Sequence, residues 1–292
     1  MNIFKALFGS SDLTPEEEKK NAEQRRFDLM KFDGVKALKM GQFDYAVRCF
    51  DEALSIENDL EVRDYLSQAL IHTGKLQLAL GQLQLLSVAE PQNVDIMRQM
   101  AHVAYLMEDY QQMTGFLDQA LAVAPDNADL HFIYARAALG TGDLVGAIAR
   151  LTKCLVIAPE HGDAHLLRAQ TLMKMGDLQG AEDDVKWLME RTDGQEDVLL
   201  LAARLAKAKG LNVEALARYG EVIEANPFHI DAYSERGQLR YEQGDRKGAE
   251  EDLKKVLELN PQQMADVSGS YSAEGVEQQM KRAYSAINPL GL

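Results

Sequence analysis

One cluster of side chains in this sequence has a spacing that suggests metal chemistry. His161, Asp163 and His165 follow one another at intervals of two residues, and imidazole and carboxylate groups are ligands that zinc takes in proteins. The cluster, however, spans a predicted turn and the beginning of a predicted helix. We therefore interpret His161 as a solvated turn residue and His165 as a packing residue, and we predict no metal site.

No other arrangement of residues predicts catalysis. The sequence contains no phosphate-binding GxxxxGK[ST] loop and no GxSxG nucleophile motif. Cys154 falls at a helix-packing position and Trp187 lies among apolar neighbours, so we interpret both as core residues. Without a nucleophile–base pair or a metal-ligand set, we predict a protein that is not an enzyme and needs no cofactor.

The composition narrows the choice of partner and location. The chain has 31 Lys and Arg against 46 Asp and Glu, a net charge of −15, whereas nucleic-acid-binding surfaces are basic. We therefore expect a protein or peptide partner and no nucleic acid. No run of 18 apolar residues predicts an integral membrane segment. The first residues lack the pattern of a secretory signal, and two distant cysteines fit a reducing compartment, so the predicted location is cytoplasmic.

A 34-residue period sets the positions of the structural elements. The segments that begin at Asp129 and Asp163 share the same residue at several positions, among them Gly142 and Gly176, and Ala147 and Ala181. A small residue lies seven positions before each turn, and an alanine lies five positions after it in all units but the third. Small side chains at both places allow two antiparallel helices to approach closely. The turns are marked by Gly41, Gly74, Glu108, Gly142, Gly176, Gly210 and Gly244.

This spacing, with a proline 17 residues after most turns, resembles the tetratricopeptide repeat family over about residues 28–261. The resemblance implies an all-α fold, a right-handed superhelix (an α-solenoid) of seven helix pairs with a C-terminal capping helix. Together with the patterns of the flanking residues, it predicts an N-terminal, partly helical extension at 1–27, seven repeats at 28–261, and a loop, capping helix and short tail at 262–292. The predicted first helices are 28–40, 61–73, 95–107, 129–141, 163–175, 197–209 and 231–243. The predicted second helices are 44–57, 77–90, 111–124, 145–158, 179–191, 213–226 and 247–260.

Two features of the repeats lead to further expectations. The third unit has Glu108 in place of the turn glycine and Met113 in place of the alanine, so we expect its helix pair to be spread or its turn altered. A carboxylate also recurs at the start of every first helix, where it is expected to cap the helix N-terminus and to interact with the helix dipole. These carboxylates are Asp28, Glu61, Asp95, Asp129, Asp163, Asp197 and Asp231.

The two ends of the chain leave alternatives open. Apolar residues in 1–13 share one helical face, which is typical either of a segment that docks on a partner or a membrane surface, or of an end that packs on the first repeat. Thr14 and Pro15 predict a helix start, and no breaker follows before Gly34. Residues 274–287 form an amphipathic pattern, predicted either to cap the last repeat or to fold into the groove.

The family resemblance places binding on the concave groove lined by the first helices. In this sequence the implied positions combine cations with aromatic and aliphatic surface. The alternative for Leu166, Leu167, Leu200 and Leu201 is burial between neighbouring first helices. The predicted groove residues are Arg98, His102, Tyr105, Phe132, Arg136, Gln170, Met173, Lys174, Arg204 and Lys207.

Taken together, the sequence predicts a protein-interaction adaptor or scaffold that binds a peptide segment in the groove without catalysis. The peptide is expected to carry carboxylates, which would pair with Arg98, Arg136 and Arg204, and a few apolar anchors. The alternative is a structural subunit of a fixed assembly, or a homo-oligomer joined through its ends, with the groove unused.

Overall fold

The computed structural model describes residues 14–192 and 194–260. Within these ranges the chain forms fourteen α-helices and no strand, so the fold is all-α as predicted. The helices alternate between first and second members of seven pairs. Their bounds are α1 Pro15–Lys39, α2 Phe43–Ile56, α3 Leu60–His72, α4 Leu76–Ala89, α5 Val94–Leu106, α6 Tyr110–Val123, α7 Ala128–Gly140, α8 Leu144–Ile157, α9 Gly162–Lys174, α10 Leu178–Arg191, α11 Glu196–Ala208, α12 Asn212–Ala225, α13 Ile230–Glu242 and α14 Arg246–Leu259.

The observed helices lie close to the predicted ones. Each helix from α2 to α14 begins one residue before its predicted start and ends within one residue of its predicted end. The continuous helix expected from Pro15 is also present, and Thr14 and Glu17 form a reciprocal capping box at its start. The predicted apolar segment at 1–13 and the predicted capping helix at 274–287 lie outside the described residues. None of the described helices combines the length and the apolar character needed to cross a bilayer.

The helices fall into two compact units that divide between Leu130 and His131, inside α7. The first unit contains α1 to α6 and the beginning of α7, and the second contains the rest of α7 through α14. Within the first unit each helix packs on the next one along the chain, from α1 to α6. Within the second unit the same sequential packing runs from α8 to α14.

Small residues lie where the two helices of a pair are closest. Ala169 on α9 and Ala181 on α10 are both fully buried, as are their equivalents in the other pairs that carry alanine. In the first pair, a Cβ atom added to Gly34 would lie 2.5 Å from a ring carbon of Phe50. The pairing of α1 with α2 therefore requires glycine at this position, because any side chain would displace the Phe50 ring.

The recurring acidic residues do not cap the first helices, so that prediction was wrong. In α3, α5, α9 and α13, capping is performed by the residue just outside the helix, which has extended backbone geometry and an acceptor side chain. Asp59, for example, accepts a hydrogen bond from the Val62 N–H at 2.8 Å. His161 uses its Nδ1 in the same way, at 3.2 Å from the Ala164 nitrogen. From Glu61 onward, the acidic series lies in the first turn, where it faces the positive end of the helix dipole.

The third pair keeps the same turn as the others, so the expected distortion is also wrong. Glu108 adopts φ +57°, in the left-handed region where Gly142 and Gly176 lie at +80°. Its N–H donates to the Tyr105 carbonyl at 2.9 Å, as that of Gly142 donates to Leu139 at 3.0 Å. Packing of the two helices therefore imposes the turn on a residue that does not favour it.

This strain predicts a stabilising substitution. A left-handed conformation costs a non-glycine residue about 1–2 kcal/mol, partly offset because glycine loses more entropy on folding. Glu108→Gly should therefore raise the free energy of unfolding by about 1 kcal/mol in urea denaturation. Glu108→Ala is the control, since it removes the charge but keeps the Cβ atom that disfavours the left-handed conformation. An equal gain from both variants would attribute the effect to charge and contradict the strain argument.

Candidate functional site

The predicted groove residues of the first unit lie on α5. Arg98 and His102 are exposed and Tyr105 is half-buried. The Tyr105 ring meets Tyr110 edge-on, with ring centroids 6.3 Å apart. Arg98 pairs with Asp95 of its own helix at 3.0 Å, and an exposed pair of this kind contributes little to stability. These three side chains therefore present a cation and an aromatic edge on the solvent side of α5.

In the second unit, the predicted groove residues of α7 and α9 occupy the same positions of the repeat. Phe132 and Leu166 occupy the same position, and Arg136 and Gln170 lie one turn further along their helices. The Phe132 ring lies 4.8 Å from the His161 ring, which connects α7 to the start of α9. We call this surface the α7–α9 face. It comprises the half-buried Phe132, Leu166, Leu167 and Gln170 and the exposed Arg136 and Lys174.

Met173 is not available to a ligand, so its assignment to the groove was wrong. It is fully buried, in a cluster with Ala169, Ala181 and Val185. Four residues of helix separate it from Ala169, which places the two about 40° apart around the helix axis. Met173 therefore faces the paired helix α10, and its flexible thioether chain fills the space around the small alanines.

Arg204 is also committed to the protein itself. Its guanidinium donates to both carboxylate oxygens of Glu235 on α13, at 2.6–3.1 Å, and its side chain is 21% exposed. The Tyr219 hydroxyl lies 3.0 Å from the same carboxylate. Lys207 donates to the Gln238 side chain at 2.9 Å. The prediction that Arg204 meets a ligand carboxylate is therefore corrected: Arg204 and Lys207 both attach α11 to α13.

The electrostatics of this cluster fit a structural role. Burial acts to lower the pKa of the Arg204 guanidinium, but the hydrogen bonds and charge of Glu235 outweigh it and raise the pKa. Burial, then the charge and hydrogen bond of Glu235, raise the pKa of Tyr219 well above its usual range. Tyr219 therefore stays protonated and its hydroxyl donates a hydrogen bond to Glu235, so the three side chains form one satisfied buried network.

The four leucines divide between the two alternatives. Leu200 and Leu201 are buried, and they pack in separate clusters on opposite sides of α11. Leu166 on α9 packs partly against the same cluster as Leu201, but it remains, like Leu167, partly exposed. The face of α11 is therefore closed by its neighbours, whereas the face of α9 offers apolar surface to a partner.

The sequence reading missed a set of buried carboxylates that join the two helices of one pair. Asp184 on α10, which is 1% exposed, accepts two hydrogen bonds from Arg168 at 2.7 and 2.8 Å. The Nδ1 atom of His165 lies 2.6 Å from the same carboxylate, and the Trp187 ring stacks on the imidazole at 3.9 Å. The period contained the signal, because the same Arg–Asp pair recurs 68 residues later as Arg236 and Asp252.

These clusters indicate fold stabilisation rather than catalysis. Each carboxylate is saturated by arginine, histidine or tyrosine donors within the chain, so none is poised toward a substrate. The roles of His161 and His165 are likewise occupied: His161 caps α9, and His165 bonds to Asp184. Among the described residues, no group of three or more potential ligands is arranged to hold a metal ion.

Sequence models of one family match three parts of the chain, at residues 116–153, 138–205 and 230–263, and each describes a tetratricopeptide repeat. The observed helix pairs have the period and turn geometry of these repeats. These parts of the chain belong to the tetratricopeptide repeat family. Human tetratricopeptide repeat protein 36 is 34% identical over 83 residues, which cover 24% of this chain and 44% of that protein. The chain thus matches less than half the length of this curated relative.

Solved structures share the repeat fold over a longer range. A tetratricopeptide repeat protein from Parabacteroides merdae matches 89% of this chain and 99% of its own, with a TM-score of 0.64 and 17% identity. YrrB, described as a tetratricopeptide protein with an unusual peptide-binding site, matches 68% of this chain and 97% of its own, with a TM-score of 0.53 and 17% identity. At 17% sequence identity, these structural matches show a common fold and nothing further.

The structural assignment of Arg204 makes a direct prediction. Arg204→Met leaves the buried Glu235 carboxylate without its cation, so the free energy of unfolding should fall by about 3 kcal/mol. Removing all three members, with Arg204→Met, Glu235→Met and Tyr219→Phe, leaves no unpaired charge and should recover most of that loss. Chemical denaturation of both variants provides the measurement. If Arg204→Met is as stable as the wild type, the cluster does not stabilise the fold, and Arg204 is again a candidate ligand-binding residue.

Proposed function

We propose that this protein is a non-catalytic interaction scaffold and that its α7–α9 face binds a peptide segment carrying carboxylates and apolar anchors. The repeat fold supports the scaffold role, since repeats of this kind present extended surfaces for binding. The peptide-binding site in the description of YrrB, a protein of the same fold, agrees with it. The observation that carries the specific site is on α9, where exposed Lys174 follows half-buried Leu166, Leu167 and Gln170 along one face.

The cations of this face are chemically suited to a carboxylate. Lys174 is exposed and makes no ion pair within the described residues. Arg136 is also exposed, on the first helix α7, at the repeat position that Gln170 occupies on α9. Since an exposed ion pair contributes only about 0.2–1 kcal/mol, these cations would orient the peptide and accelerate its approach.

The apolar residues would supply most of the affinity. Phe132, Leu166 and Leu167 lie partly exposed beside the cations. Burying the remaining surface of an aromatic and two leucines under a partner side chain is favourable at about 25 cal/mol per Å². We therefore expect a peptide with two or three hydrophobic side chains among acidic ones, bound with micromolar affinity.

The first unit carries a smaller surface of the same kind on α5. Exposed Arg98 and His102 lie beside half-buried Tyr105, and we propose that these residues make a second peptide contact. Each surface is proposed for its own unit. We also propose that the repeats occupy 28–261, with end segments at 1–27 and 262–292. We propose a cytoplasmic location as well, because the two cysteines are buried and free, as in a reducing compartment.

A random peptide library displayed on phage tests this function. Selection on the full chain should enrich peptides rich in Asp and Glu with Leu, Phe or Met between them. Binding of a selected synthetic peptide, measured by fluorescence anisotropy, should weaken about tenfold between roughly 50 and 500 mM salt, because the charges are exposed. Lys174→Glu should weaken it by a further factor of about five or more.

The matched control is Lys186→Glu, an equal charge reversal at an exposed position on the second helix α10. It should leave peptide affinity within about a factor of two, since only long-range charge changes. The proposal fails if no acidic–apolar consensus emerges, or if both reversals weaken the peptide equally.

A further inference from the structure

The helix α4 has an unusual outer surface for so acidic a protein. Among the described helices it alone contains no Asp, Glu, Lys or Arg. Its solvent side displays Leu78, Leu85 and Val88, which are 60%, 50% and 82% exposed. Gly81 lies between them, and the four positions follow the i, i+3, i+7, i+10 spacing of one helix side. We call these four residues the α4 strip.

The strip is not a general feature of the repeat. In α12 the positions that correspond to Leu78, Leu85 and Val88 are Glu214, Glu221 and Glu224. The residues that flank the strip on its solvent side include Gln77 and Gln84, which are exposed and uncharged. These positions therefore carry apolar residues in α4, whereas all three carry glutamate in α12.

The strip is complementary to a reversed copy of itself. Leu78 and Val88 lie equally far from its midpoint, and so do Gly81 and Leu85. Two antiparallel copies of α4 would therefore bring Leu78 against Val88 of the second copy, and Leu85 against Gly81. The space above Gly81 is open, because an added Cβ would meet no atom within 4 Å. The Leu85 side chain can enter that space as a knob enters a hole, and helices can then approach closely.

We propose that two copies of this chain associate through the α4 strip, antiparallel about a two-fold axis, with Leu85 of each copy over Gly81 of the other. A contact of one surface patch with itself is the arrangement that two-fold symmetry requires. The absence of charge makes the strip the place where two copies can meet: with a net charge of −15, two copies repel over most of their surfaces. The α4 strip lets them meet without placing like charges opposite each other.

The size of the contact sets its strength. A helix of 14 residues is about 21 Å long, so one helix pair buries less than a standard interface of about 1,600 Å². The dimer is therefore weak, with a dissociation constant of about 10–100 µM. The contact is distinct from peptide binding, because none of its residues belongs to the α7–α9 face or to the surface proposed on α5.

Sedimentation equilibrium of the full chain over about 1–500 µM tests the proposal. Wild type should pass from monomer to dimer, and Val88→Glu should weaken association at least tenfold. Val156→Glu is the matched control: it makes the same change at the same register on α8, at a residue that is 70% exposed, and should leave association unchanged. A wild type that stays monomeric throughout, or equal weakening by both variants, overturns the proposal.

Two further variants test the geometry and separate association from folding. Gly81→Gln places a better helix former in α4 and fills the hole, so it should raise the thermal midpoint while weakening association at least tenfold. The double variant Leu78→Cys/Val88→Cys should form an intermolecular disulfide on oxidation, whereas either single variant should not. Cross-linking by a single variant would show a parallel or unrelated contact and contradict the antiparallel dimer.

Discussion

The close approach of the two helices in each pair is the contact on which the rest of the structure depends. Where Ala169 meets Ala181, neither side chain extends beyond its Cβ atom, so the helix backbones come together. This contact fixes the rotation of the first helix. Once Ala169 faces α10, helical geometry turns Met173 inward and leaves Gln170 and Lys174 pointing away from the pair. The surface available to a partner therefore follows from a buried contact between two small residues.

The helices were predictable because their signals are local and repeated. Glycine at the turns, alanine at the contacts and proline after the second helices act within a few residues, and seven copies reinforce one another. Glu108 shows where local preference fails: the packing of two helices holds it at φ +57°, against its own tendency. The acidic series shows a different error: its residues were predicted to cap the first helices but lie in the first turn. A capping residue and a first-turn residue are only two positions apart, so the sequence pattern alone did not distinguish them.

The candidate site was predictable only in part, because the period identifies a helix face and not what that face touches. Arg136, Arg168 and Arg204 all lie on first helices. Arg168 binds the buried Asp184 and Arg204 binds the buried Glu235, whereas Arg136 is exposed. Glu235 lies 31 residues from Arg204 on another helix, and sequence spacing alone does not reveal that pairing. The structure therefore identifies Arg168 and Arg204 as cations that hold helices together.

Methyl NMR of the full chain, titrated with a library-selected acidic peptide, tests the central claim most directly. The account predicts that the methyl signals of Leu166 and Leu167 shift progressively with peptide. The signals of Leu200 and Leu201, which are buried on α11, should remain in place. Shifts that leave Leu166 and Leu167 unchanged, and that move leucines of α4 or α11 instead, would contradict the account and place the binding surface elsewhere.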